Sequence, residues 1–109
     1  MSLEAVLQQK IVDRAKARGW LVHHARPAPT RSGGWATPIQ GNKGFPDLVL
    51  AKGGRIIIAE LKQDGRYPNA DQKKWIAALS VDYNRPDVLV TVWRPKDWPT
   101  ICDILDAPF

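Results

Sequence analysis

The segment GFPDLVLAKGGRIIIAELK, Gly44–Lys62, decides the predicted fold. Its first half, Asp47–Lys52, is rich in Val and Leu, and its second half, Arg55–Lys62, opens with consecutive Ile residues. Such residues favour β-strands, and Gly53-Gly54 between them is typical of a two-residue hairpin turn. The segment therefore predicts a β-hairpin, around which the rest of the chain is arranged.

The turn also predicts the register of the hairpin. If Lys52 pairs with Arg55, Asp47 lies opposite Glu60, where two like charges repel each other. Lys62 follows Glu60 by two residues and shares its face, because side chains alternate along a strand. A divalent cation would compensate the two acids, and Mg²⁺ commonly takes one or two carboxylates together with water and phosphate oxygens. The alternative is that Glu60 and Lys62 form an edge-strand ion pair that binds nothing.

A first helix is predicted from Leu3 to about Arg18, with Ser2 as its N-cap and Gly19 just beyond its end. Glu4 falls within the apolar arc of this helix rather than opposite it. An acid there can answer the positive end of the helix dipole. Gln8 flanks the same face.

A second helix is predicted from the capping-box pattern of Asn69 and Gln72 to about Tyr83. Gln72 lies in the centre of its apolar stripe, at the end nearest the hairpin, so the capping role and a role in the site both remain open. A third helix is predicted from Trp98 to about Asp106, with Asp97 as its cap.

Two further strands are expected. Trp20–Ala25 forms the first, on which His23 and His24 point to opposite faces and have structural or surface roles, although one could touch a phosphate. Val88–Trp93 is almost continuously apolar, which predicts burial on both faces and a position beside the hairpin after a helical crossover. The predicted order is α-β-β-β-α-β-α, an α/β fold whose mixed sheet has a central hairpin and flanking helices, within a single domain over residues 1–109.

The stretch 26–43 is predicted to be a long loop. Loops of this length in compact domains are usually functional or disordered. Its basic residues and a lone aromatic suit a nucleic-acid backbone and a stacked base, and Arg66 adds a basic side chain after the hairpin. The alternative is a mobile loop with Trp35 folded back on the core. The expected nucleic-acid contacts are Arg26, Arg31, Trp35, Lys43 and Arg66.

The net charge of the chain is +5 at pH 7, with a pI near 9.7. This excess favours a polyanionic partner such as nucleic acid. A lone Cys102 excludes an internal disulfide and a cysteine-rich zinc site. The sequence contains no apolar run as long as a membrane span, so we expect a cytoplasmic protein.

An ordered set of residues resembles the sequence motif of the PD-(D/E)XK nuclease superfamily. The set consists of Pro46-Asp47, Glu60-Leu61-Lys62, Gln72 and Trp75. Within it, the chain is similar to a stand-alone VRR-NUC domain, a group close to the Holliday-junction resolvases. The similarity extends from the Glu4 helix to the closing VWRPKDW.

The resemblance implies a restriction-endonuclease-like fold and a Mg²⁺- or Mn²⁺-dependent endonuclease, bacterial or phage-encoded and without a small-molecule cofactor, that acts as a homodimer on branched or four-way-junction DNA. It also implies a site residue on the first helix, which is Glu4 or, one turn further along, Gln8. Lys62 would orient the attacking water or stabilise the phosphorus, and Gln72 would contact that water or a phosphate. The metal ligands implied are Asp47, Glu60, the Leu61 carbonyl and Glu4. Two other functions stay open: a non-cutting nucleic-acid-binding module with the same fold, and a structural protein whose acids form ion pairs.

Overall fold

A computed structural model describes residues 2–24, 28–29, 31–36, 39–80 and 85–108. The helices of these ranges are α1 (Leu3–Ala17), α2 (Ala70–Leu79) and α3 (Trp98–Asp106), with a 3₁₀ turn at Pro95–Asp97. The strands are β1 (Leu21–His24), β2 (Ala28–Pro29), β3 (Trp35–Ala36), β4 (Leu48–Lys52), β5 (Arg55–Leu61) and β6 (Val88–Trp93).

The sheet confirms the α/β prediction and the central hairpin. Its strand order is β1-β4-β5-β6, with antiparallel pairing except between β5 and β6, which are parallel. Lys52 lies opposite Arg55, so the predicted register is confirmed. Both turn glycines have positive φ, 54° at Gly53 and 85° at Gly54, which is the backbone that a tight hairpin turn of this kind requires.

One face of the sheet forms the core. Ile57, Ala59 and Leu61 of β5 are buried on it, beneath α1 and α3. On the opposite face, Ile56 is exposed and Ile58 is half-buried. The alternation predicted for β5 is therefore confirmed, and Glu60 belongs to the face away from the core. The buried apolar residues are Leu7, Ile11, Ala15, Trp20, Leu48, Leu50, Ile57, Ala59, Leu61, Trp93, Ile101 and Leu105.

The two helices on the core face are also joined by polar contacts. Arg14 and Arg18 of α1 donate hydrogen bonds to the Asp106 carboxylate at the end of α3. The Trp20 indole N–H donates to the Leu105 carbonyl over 3.1 Å. These contacts hold the end of α1, and so the start of β1, against the last turn of α3.

The predicted helix starts are confirmed at α1 and α2. Ser2 Oγ accepts a hydrogen bond from the Ala5 N–H, and Asn69 and Gln72 form the reciprocal capping box. Gly19 follows the C-cap of α1 with φ of 86°. The predicted end of the second helix near Tyr83 is wrong, because α2 ends at Leu79 and Ser80 is extended, with ψ of 126°. Tyr83 itself and the Ala25 end of the first strand lie outside the described residues.

Other predictions were wrong. Asp97 does not cap α3 with its side chain; instead its Oδ2 accepts from the Arg94 N–H, because a 3₁₀ turn precedes the helix. The stretch 26–43 is not all loop, since β2 and β3 pair within it. Strand β6 is not buried on both faces, because it lies at the edge of the sheet, and Leu89 keeps 36% of its surface exposed.

No helix in the described ranges combines the length and apolar character needed to cross a membrane.

Candidate metal and nucleic-acid site

The candidate site lies where β4 begins and β5 ends. Leu48 pairs with Ala59, and the same register continued by one residue places Asp47 opposite Glu60. The Leu61 N–H donates a hydrogen bond to Asp47 Oδ2 over 2.8 Å. Asp47 is therefore attached directly to the strand that carries Glu60, as the hairpin register predicts.

Glu60 is a buried acid. Only 1% of its surface is exposed, and its Oε2 atom has no hydrogen-bond partner among the described residues. Burial raises the pKa of Glu60 to about 9, and the Asp47 carboxyl contributes through hydrogen bonding and through its charge. The charge of Lys62 opposes that rise. At neutral pH the Glu60 carboxyl is therefore protonated.

Gln72 serves both the helix cap and the site. Its Oε1 accepts a hydrogen bond from the Asn69 N–H over 2.9 Å, which completes the capping box. Its Nε2 donates to Glu60 Oε1 over 3.4 Å. The capping box thus orients the amide group that reaches Glu60, so the structure brings Gln72 to the position predicted for it.

Lys62 and Glu4 lie within electrostatic range of this pair of acids. Burial raises the pKa of Glu4, the charge of Asp47 raises it further, and the charge of Lys62 lowers it. Gln8, the other possible site residue of α1, instead has its Nε2 3.5 Å from His24 Nδ1. Of these two α1 residues, Glu4 is therefore the one that interacts with the candidate site. His24 is half-buried beside Gln8, and His23 is exposed.

The residues present fit a divalent cation in their chemistry. Asp47 and Glu60 supply carboxylate oxygens, and Oε2 of Glu60 is buried without a hydrogen-bond partner from the described residues, which is costly unless another group satisfies it. Mg²⁺ needs only one or two carboxylates when water and phosphate complete its shell. Within the described ranges, no three side chains of the types His, Cys, Asp and Glu are grouped closely enough to hold a metal. Glu4 is thus near the pair without completing such a group.

The predicted nucleic-acid contacts are only partly gathered near the site. The Lys43 side chain is 79% exposed, and its Nζ lies 3.6 Å from Asp71 Oδ2. Trp35 is 72% exposed, so the alternative that it folds back on the core is wrong. Arg31 and Arg66 are exposed, and Arg26 lies outside the described residues.

Sequence reasoning missed Arg94 and Tyr67. Since Leu61 pairs with Trp93, Arg94 follows directly at the level of Lys62. Its guanidinium donates two hydrogen bonds to the Arg66 carbonyl, at 2.8 and 3.2 Å, and lies 5.2 Å from the centre of the Tyr67 ring. Tyr67 is 75% exposed. The sequence held no local signal for this contact, since Arg94 and Arg66 lie 28 positions apart.

The segment that leads into Asp47 is held against α2. The Trp75 indole N–H donates to the carbonyls of Asn42 and Lys43, and the Phe45 ring contacts Trp75 edge-on with centroids 5.1 Å apart. Gly44 has φ of 97°, and a Cβ there would lie 2.7 Å from the Asp71 backbone. Close approach at Gly44 therefore fixes the path of the chain just before Asp47.

Comparison of the chain with protein-family models, with curated proteins and with solved structures found no match.

Proposed function

We propose that this protein is a metal-dependent DNA endonuclease that hydrolyses phosphodiester bonds, with a restriction-endonuclease-like arrangement of its sheet and helices. The observation that carries the proposal is the pairing of Asp47 with the buried Glu60 at the end of the hairpin. A structural protein gains little from a buried acid whose Oε2 has no hydrogen-bond partner in the part of the chain that the structure describes. In a cation-binding site, the bound cation would be the partner of this oxygen.

Asp47 and Glu60 would hold Mg²⁺ or Mn²⁺, with the Leu61 carbonyl and Glu4 as the further ligands that the sequence resemblance implies. A bound ion of this type lowers the pKa of a coordinated water and neutralises charge on the scissile phosphate. The Leu61 N–H keeps Asp47 in place through its hydrogen bond to Oδ2. Gln72 positions Glu60 by donating to Oε1.

Lys62 supplies the proposed site with a positive charge that belongs to the protein itself rather than to a bound metal. Its charge lowers the pKa of Glu4 and of Glu60, so its ammonium group lies within electrostatic range of both acids. The backbone N–H of Lys62 donates to the Trp93 carbonyl over 3.0 Å, which extends the β5–β6 pairing to the residue that bears the amine. From this fixed backbone, Lys62 would orient the attacking water or stabilise the charge that develops on the phosphate.

Branched DNA is the proposed substrate. The net charge of +5 and the exposed basic residues Arg31, Lys43 and Arg66 support backbone contacts that do not read sequence. A homodimer would suit a four-way junction, because both have two-fold symmetry.

Cleavage of labelled linear, flap and four-way-junction DNA tests the proposal, with and without Mg²⁺. We expect Mg²⁺-dependent cleavage by the wild type and a loss of about 100-fold or more in Glu60→Gln and Lys62→Ala, because each change removes a charge that the reaction uses. Lys73→Ala, a change of an exposed lysine on α2, is the matched control and should cleave normally.

Cleavage that survives either substitution would contradict the assignment of these residues. Binding of DNA without cleavage under any metal condition would instead identify a non-cutting nucleic-acid-binding module.

A further inference from the structure

A groove of about 830 Å³ lies between α2 and the loop that precedes β4. Ile39 and residues 41–43 form its loop wall. The α2 wall consists of Asp71, Lys74, Trp75 and Ala78. Its size is within the range of pockets that bind small molecules and single nucleotides, about 300–1,000 Å³.

The groove is held open by backbone contacts. Two loop carbonyls, those of Asn42 and Lys43, accept hydrogen bonds from the Trp75 indole N–H at 3.2 and 3.1 Å. Gly44 is packed directly on the Asp71 backbone, where no larger residue fits. Since both walls are anchored at these points, the groove is formed before any ligand enters.

The lining combines an apolar floor with a basic rim. Ile39 is 57% exposed, and its side chain and Trp75 offer apolar surface to an occupant. Lys43 and Lys74 are exposed at the rim. Among the described residues of the lining, Asp71 is the acid, and its Oδ2 lies 3.6 Å from the Lys43 ammonium, which offsets its charge. The rim thus keeps a net positive charge beside an apolar surface.

We infer that this groove binds one unpaired nucleotide of a DNA strand, with the base against Ile39 and Trp75 and the neighbouring phosphates near Lys43 and Lys74. A planar apolar group joined to phosphates matches a floor and rim of this kind. The inference rests on the proposed nuclease function, because Lys43 lies four residues before Asp47 and the same loop serves both places. The groove would therefore select DNA with an unpaired nucleotide close to the scissile bond.

The test compares two neighbouring alanines of α2, both exposed, of which only Ala78 lines the groove. Ala78→Phe fills the groove, whereas Ala77→Phe adds the same ring elsewhere on the helix. Binding is measured in EDTA, where no cleavage occurs, with a labelled duplex that carries a single-stranded arm of ~10 nucleotides, within the length that one single-strand site spans. A second duplex has the same arm built from abasic residues.

For the arm with bases, we expect Ala78→Phe to raise Kd about tenfold, as the loss of one base contact does, and Ala77→Phe to leave it unchanged. For the abasic arm, the wild type should already bind about tenfold more weakly, and Ala78→Phe should add no further loss. The inference is overturned if the two phenylalanine variants bind the arm equally, or if Ala78→Phe weakens both arms alike. Thermal unfolding of both variants checks that the fold is kept.

A second pair of variants tests the rim. Lys74 lines the groove and Lys73 does not, although both are exposed. Lys74→Ala should reduce the slope of log Kd against log salt by about one relative to the wild type, while Lys73→Ala should leave it unchanged. Equal slopes in the two variants would contradict the assignment.

The outcomes separate this inference from the proposed function. If the wild type cleaves DNA but Ala78→Phe binds like Ala77→Phe, only the groove assignment fails. If the wild type binds the arm through the groove but never cleaves it, the nuclease proposal fails and the groove assignment stands.

Discussion

The Asp47 carboxylate accepts a hydrogen bond from the backbone N–H of Leu61, over 2.8 Å, across the end of the central hairpin. This bond joins the residue before β4 to the last residue of β5. It therefore sets the position of Asp47 relative to Glu60, the neighbour of Leu61. Two acids that would repel each other as ions are held together by backbone structure.

The stability of the protein should fall as pH rises, because of Glu60. Its pKa is raised from 4.5 to about 9 in the folded state, so the folded protein keeps a proton that the unfolded chain loses above about pH 4.5. The stability contributed by this proton is complete below that pH and is lost as the pH rises toward 9. Glu60→Gln removes the titration. The free energy of unfolding of Glu60→Gln should therefore increase relative to that of the wild type between about pH 5 and pH 8. The increase should be about 1 kcal/mol or more, since one pKa unit corresponds to about 1.4 kcal/mol.

Urea denaturation in EDTA across this pH range measures the effect. Asp103→Asn, a change of an exposed acid on α3, is the control and should follow the wild type. Parallel curves for Glu60→Gln and the wild type would show that Glu60 does not titrate as its burial predicts.

Metal binding should release a proton from Glu60. Since the carboxyl is protonated at neutral pH, a cation that takes Glu60 as a ligand must displace that proton, and its apparent affinity should rise with pH. Mg²⁺ at about 100 times its Kd should stabilise the wild type by about 2.7 kcal/mol through mass action. Calorimetry in two buffers of different ionisation enthalpy gives the number of protons released, and thermal unfolding gives the stabilisation.

Asp47→Asn is the matched variant for the metal measurements, because it keeps the size of the side chain and removes its charge. It should lose the stabilisation by Mg²⁺. An identical melting temperature with and without Mg²⁺ in the wild type would count against a metal site here.

Gly44→Ala should destabilise the fold by about 2 kcal/mol or more, because it combines strain at positive φ with a clash. The added Cβ would meet the Asp71 backbone at 2.7 Å. Gly41→Ala is the control: φ there is 112°, but apart from its chain neighbours no described residue has an atom within 4 Å of the added Cβ. It should cost only about 1 kcal/mol, from backbone strain alone. Urea denaturation measures both, and equal losses would mean that the contact between the loop and α2 is not tight.

Asn69→Ala and Gln72→Ala separate the two roles of the capping box. Asn69→Ala removes the oxygen that accepts from the Gln72 N–H and should cost about 1 kcal/mol of stability with nearly normal cleavage. Gln72→Ala removes the group that contacts Glu60 and should reduce cleavage by about 10- to 100-fold, as loss of a residue that orients a metal ligand does. If both variants lose activity equally, Gln72 acts only through the stability of α2.

The features that sequence reasoning predicted well are those determined by short-range chemistry. Gly53-Gly54 determines the turn and through it the register that places Asp47 opposite Glu60. The caps at Ser2 and Asn69 determine where α1 and α2 begin. In each case a few neighbouring residues decide the backbone, so the sequence pattern is sufficient.

The features that it missed depend on contacts between distant residues. Arg94 reaches the Arg66 carbonyl across 28 positions of sequence, and Trp75 reaches the Asn42 carbonyl across 33. The partial exposure of β6 depends on its place at the edge of the sheet, which hydrophobic pattern alone does not reveal.

The most direct measurement of the central claim is the anomalous scattering of Mn²⁺ in crystals of the wild type. The account predicts a Mn²⁺ peak about 2.0–2.2 Å from a carboxylate oxygen of Asp47 and from one of Glu60, at the distance of direct ligation by hard cations. Asp47→Asn crystals treated in the same way should lack it. The absence of a peak between these two acids in the wild type, or peaks only at other surface carboxylates, would contradict the claim.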